Sequence, residues 1–128
     1  MYAFNSATVS LVLVSDNLVP FTTVGSQFGT AISQLDADTF IISETGFYKI
    51  TVIVYTTQIS LLGGLTIEQG GVPIPGTGTM LISAGAPMII QVITQVTTPP
   101  DMIEVIVNGV GLSLATGVSS TITIEKIF

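Results

Sequence analysis

Histidine, cysteine, arginine and tryptophan are all missing from this chain, and Lys49 and Lys126 are its only cationic side chains. Without cysteine there is no disulfide frame, no thiolate metal site and no cysteine nucleophile, and the redox compartment goes unread. Without histidine the commonest general base and the commonest imidazole ligand are lost as well. Against the two lysines stand eight carboxylates, for a formal charge of −6. Nucleic acids and anionic membranes, which need clustered Lys and Arg, are therefore excluded as partners. Long apolar runs are scarce too. A membrane-spanning helix needs about 18 consecutive apolar residues, and every run here is cut by Gly, Pro, Ser, Thr or a charge. A transmembrane barrel would call for Tyr and Trp girdles and a polar lumen, and the chain has three Tyr and no Trp. Met1 leads into Tyr2-Ala3-Phe4 with no basic segment, so no signal peptide is read.

What is present is hydrophobic. Of 128 residues 48% are apolar and only 8% charged, where about 25% charged is usual. That length suits one domain, residues 1–128, burying roughly two thirds of its unfolded surface. A lone subunit of this composition has little with which to cover its exterior, which points to self-association.

The most patterned stretch runs from Phe40 to Val54. Phe40 to Ile42 closes one strand, Glu44-Thr45-Gly46 makes a turn in which glycine allows positive φ, and Phe47 to Thr56 forms a long second strand. Phe47, Lys49, Thr51, Ile53 and Tyr55 share one face of that strand, and Tyr48, Ile50, Val52, Val54 and Thr56 the other. Both faces carry large apolar groups, whereas a strand with one wet face alternates apolar with polar. The strand is thus expected to be covered on both sides.

Elsewhere strands are expected at Tyr2 to Asn5, Thr8 to Val14, Leu65 to Gln69, Thr79 to Ser83, Met88 to Thr97, Met102 to Val107 and Ser119 to Phe128. Leu18 to Val24 contains Pro20 and reads as an edge strand or extended loop. Ala31 to Asp38 offers Ile32 and Leu35 but no sustained helical period, and Gln58 to Gly64 reads as a connection ending in Gly63-Gly64. Asn108-Gly109 is a hairpin signal. No long helix is expected. Eight to ten strands at a spacing near ten residues describe an antiparallel sandwich or barrel.

The pattern Phe40-x-Ile42-x-x-x-Gly46-x-Tyr48-x-Ile50 resembles the strand-turn-strand signature of the heads of complement-type collagen-like proteins and tumour necrosis factor ligands. Tyr2-Ala3-Phe4-Asn5-Ser6, Val19-Pro20-Phe21, Val24-Gly25-Ser26-Gln27-Phe28-Gly29-Thr30-Ala31-Ile32 and Ile122-Thr123-Ile124-Glu125-Lys126 extend the likeness over essentially the whole chain. Together they resemble the C-terminal domain of the Bacillus collagen-like exosporium glycoproteins, the BclA family. The resemblance implies a ten-stranded jelly-roll β-sandwich that assembles as a homotrimer, caps a collagen-like stalk and sits in the hair-like nap of the spore's outer layer. It implies no enzymatic activity and no cofactor. A role as a trimeric adhesin, binding a host receptor, a glycan or other exosporium proteins through loops near Gly25 to Asp36 or Gly71 to Gly78, is the alternative. No Gly-X-Y repeat is present, so the stalk is expected upstream of Met1, or the chain is a stand-alone relative.

The resemblance gives the doubly apolar strand its second cover, a threefold interface. The candidate interface is Tyr48, Ile50, Val52 and Val54, with Gln91, Ile93 and Gln95 on the strand after Pro87 and Ile122 and Ile124 on the last strand. Which face of the central strand meets the axis is left open by the sequence. Other residues carry groups capable of chemistry. Asp36 and Asp38 stand at a spacing that can contribute to a calcium site, against a plain solvated loop. Glu104 and Glu125 can be cast as a glycosidase-like pair, against two outward strand positions. Lys49 or Lys126 can activate a serine, against a carboxylate partner such as Glu44 for Lys49 or a snorkelling Lys49 side chain at the trimer surface. Gln91, Thr94 and Gln95 either line the trimer axis or face solvent. Phe21, Phe28 and Tyr55 make either a sugar-stacking platform or core. Gly63-Gly64 and Gly76-x-Gly78 are turns, with no helix after them to make a phosphate cradle.

Overall fold

The computed structural model describes residues 1–58 and 62–128; residues 59–61, within the connection expected from Gln58 to Gly64, lie outside the described residues. The strands are β1 (Tyr2–Ala7), β2 (Leu11–Leu13), β3 (Thr23–Ser26), β4 (Ile32–Asp36), β5 (Thr39–Ile42), β6 (Gly46–Tyr55) and β7 (Gly63–Gln69). They continue with β8 (Val72–Pro73), β9 (Thr79–Met80), β10 (Pro87–Val96), β11 (Asp101–Gly109), β12 (Leu112–Leu114) and β13 (Gly117–Lys126). One sheet has the order β10-β6-β13-β1-β3; the other runs β4-β5-β11-β7-β8 with β9 also on β7, and β12 pairs with β2 in a short ribbon. All pairings are antiparallel.

Period-two alternation explains which side of each strand is enclosed. Tyr48, Ile50, Val52 and Val54 of β6, Ile122 and Ile124 of β13 and Ala3 of β1 point inward from the first sheet. They meet Phe40 and Ile42 of β5, Leu65 and Ile67 of β7 and Ile103, Val105 and Val107 of β11 in one core. The turn expected at Gly46 is there, with φ +151°, but β5 and β6 fall in different sheets. The Glu44–Gly46 turn therefore carries the chain across the sandwich instead of closing a hairpin.

Among the described residues thirteen strands exceed the eight to ten expected. The surplus lies in short pieces that only pairing defines. β4 has no alternating pattern yet pairs with β5, and β12 joins β2. Asn108-Gly109 is a second difference. Gly109 does take positive φ, at +76°, but β12 leaves for β2 and does not fold back on β11. Pro20 sits in an extended link between the Leu18–Ile106 bridge and β3, which is the sheet edge.

Candidate self-association face

The first sheet buries one face and leaves the other open. Its outward rows follow from the registers: Ile89, Ile53, Thr121 and Phe4 in one, Gln91, Thr51, Thr123 and Tyr2 in the next, then Ile93, Lys49 and Glu125, then Gln95 and Phe47. Ile89 is 61% exposed, Ile93 59%, Phe47 39% and Tyr55 38%. Branched and aromatic side chains favour strands for their packing. Here they stand on a broad surface that none of the described residues covers.

This corrects the expected interface. Tyr48, Ile50, Val52, Val54, Ile122 and Ile124 are enclosed inside the sandwich of a single chain, so they have no surface to offer a second one. Gln91, Ile93 and Gln95 are on the open face. Both faces of β6 are apolar, which is why composition could not rank them; the tertiary fold assigns Phe47, Lys49, Thr51, Ile53 and Tyr55 to the outside.

Polar groups on the open face are mostly uncharged, Thr51, Thr121, Thr123, Gln91 and Gln95, with Lys49 and Glu125 the charged pair. Gln91 Nε2 donates to Thr51 Oγ1 across the strands at 3.2 Å, and Gln95 is exposed beside Phe47. Thr94 is on the other face of β10, where its hydroxyl donates to Gln69 Oε1 at 2.5 Å. Glu44 pairs with Lys126, at 2.9 Å, and not with Lys49 as the sequence suggested. That hydrogen bond holds the Lys126 ammonium above its ordinary range. Burial likewise raises the Tyr48 hydroxyl, which donates to the Glu44 carbonyl at 2.7 Å.

The other candidates are separated by the fold. Glu104 and Glu125 are outward positions on opposite sheets, and Glu104 accepts a hydrogen bond from Thr39 Oγ1 at 2.9 Å. Phe21 is buried against Phe40, with ring centroids 5.8 Å apart, while Phe28 is 98% exposed; no stacking platform unites them with Tyr55. Asp36 Oδ1 accepts the Asp38 backbone N–H at 3.1 Å. This hydrogen bond lowers the Asp36 carboxyl, while burial and the neighbouring acids raise Asp38. Among the described residues no group of three or more His, Cys, Asp or Glu is arranged to hold a metal. Of the adhesin loops, 71–78 border a shallow cleft of about 230 Å³ lined by Gln69, Val72, Ile74, Thr94 and Asp101.

Gln69 is the residue that sequence reasoning passed over. Its amide donates to Asp101 Oδ2 at 2.8 Å and to the Gln95 carbonyl at 3.1 Å, and its oxygen accepts from Thr94. One side chain thus ties β7 to β10 of the opposite sheet, and no local signal marks it.

Two antiparallel sheets in this order, with helices absent among the described residues and one sheet face open, define a TNF-like jelly roll. Solved structures share the fold: the PRD1 vertex protein P5, 15% identical with a TM-score of 0.70 over 99% of this chain and 95% of that one, and the TNF protein Eiger of S. frugiperda, 14% identical with a TM-score of 0.64 over 100% and 92%. Murine APRIL is 15% identical with a TM-score of 0.60 over 98% and 99% of the two chains. Among curated proteins no sequence match is found. The family profile described as the BclA C-terminal domain matches residues 1–128, and the chain belongs to that family.

Proposed function

We propose that this chain is a non-enzymatic structural domain that trimerises through the open face of its first sheet and caps a collagen-like filament on the exosporium of a spore. The observation that carries the reading is the uncovered outward face of the first sheet, where Ile89 and Ile93 of β10, Phe47, Ile53 and Tyr55 of β6 and Phe4 of β1 stand among threonines and glutamines on a chain with 8% charged residues. An obligate interface commonly buries about 2,000 Å² or more and is core-like in composition. At about 25 cal/mol per Å² of apolar area, covering such a face outweighs anything the few surface ion pairs contribute. Membership of the BclA C-terminal domain family supports the threefold arrangement and the spore-surface setting.

The position of the chain ends fits a cap. Met1 N donates to the Ile124 carbonyl at 2.7 Å, and Phe128 O accepts from Phe47 N at 3.0 Å, so a stalk preceding Met1 leaves from the end of the sandwich where β6 begins. Three stalks leaving one trimer are held at high effective concentration, which offsets the entropy of aligning a triple helix. Sedimentation equilibrium tests the reading. The expected mass is three times the 13.3 kDa subunit, and a stable monomer at micromolar concentration overturns it.

A further inference from the structure

Lys49 is the one cation on the open face, in the row between Ile93 of β10 and Glu125 of β13. The other lysine is engaged with Glu44. Lys49 and Glu125 are direct cross-strand partners, a placement that puts Cβ atoms about 5 Å apart, yet among the described residues no ion pair joins them within one chain. The Met1 amino group also feels the Glu125 carboxylate, and the C-terminal residue Phe128 packs against Phe47 nearby. A charge enclosed in an apolar interface without a partner costs several kcal/mol in general. Covering this face with a copy of itself brings one lysine and one glutamate from each subunit, so the charges balance without any other molecule.

Resting on the trimer reading, we propose that Lys49 and Glu125 pair between neighbouring copies of this chain. Three lysines and three glutamates then alternate in the closed assembly and set its register, so that the face accepts its own kind and rejects apolar surfaces with unmatched charge. Both side chains point away from the core, so exchanging them leaves the sandwich intact.

The test uses Lys49→Glu and Glu125→Lys, alone and mixed, with native mass spectrometry for composition and circular dichroism for fold. The Met1 amine is common to every sample. Each variant alone is expected to fold and to need on the order of tenfold or more protein to assemble, while the mixture, in which two of the three junctions of a mixed trimer are complementary, assembles into trimers containing both at concentrations between those of the parent and of either variant. Variants that assemble as well as the parent chain, or a mixture of folded variants that stays apart, overturn the pairing while leaving the trimer reading in place. A parent chain that is itself monomeric overturns the trimer reading instead. Should a reversed charge unfold the chain, the milder Lys49→Gln and Lys49→Gln/Glu125→Gln give the same decision. Weaker assembly of the single variant, restored in the double, supports the pair; equal loss in both rejects it.

Discussion

Val52 and Ile53 are chemically near twins one residue apart, and the fold sends them to opposite fates. Val52 is fully enclosed, whereas Ile53 is half-buried on the open face. Val52→Asp places an unpaired charge in the core and is expected to cost about 3–5 kcal/mol and unfold the subunit. Ile53→Asp is expected to keep the fold and lose the assembly. Urea denaturation beside sedimentation separates the two, and equal loss of fold in both contradicts the two-sided strand. Asp38 offers a pH test. Its carboxyl is raised by burial and by Asp36 and Glu104, so the native state holds the proton more tightly than the unfolded chain. Stability contributed there is greatest at low pH and falls as pH rises from the ordinary value of 3.8 through the raised one. Asp38→Asn is then expected to stabilise at pH 7 by less than about 1 kcal/mol, since the site is largely solvated. Thermal melts at pH 3 and pH 7 check it, the gain vanishing at the lower value. At this scale the alternation of β6 and β10 could be read directly, because side-chain direction has period two. Which alternate set faces inward could not, because both sets of β6 are apolar.

Among the elements, β6 depends on its first residue. Gly46 has φ +151°, and a Cβ there collides with the Phe128 carbonyl oxygen, itself bonded to Phe47 N. Gly46→Ala is expected to destabilise by about 1–3 kcal/mol through backbone strain and displacement of the last strand's end, read as a lower urea midpoint at unchanged slope. Gln69 plays a comparable part on the other side of the sandwich, where β7 and β10 are joined by its amide. Gln69→Ala removes those bonds and is expected to cost about 1–2 kcal/mol, with faster amide exchange along the Gln95 end of β10. The long strands were legible from hydrophobic alternation and from the Gly46 turn. β4 and β12 were not, since their extended form comes from partners remote in sequence.

For the molecule as a whole, the assembly should behave as an apolar one. Raising NaCl to about 1 M screens exposed charges and is expected to leave the oligomer mass unchanged; dissociation at high salt would mean that ion pairs, not apolar burial, hold the copies together. The sequence by itself determined that the chain is built of strands and short of charge, because strand periodicity and charge content are local or additive properties. The TNF-like sandwich decided which face of each strand is core. By enclosing Tyr48, Ile50, Val52, Val54, Ile122 and Ile124 within one subunit and turning Phe47, Ile53, Ile89 and Ile93 outward, it leaves the opposite side of the same strands as the face proposed for assembly. Which of two apolar faces becomes core depends on the sheet it meets, and that meeting is made by residues far apart in the chain.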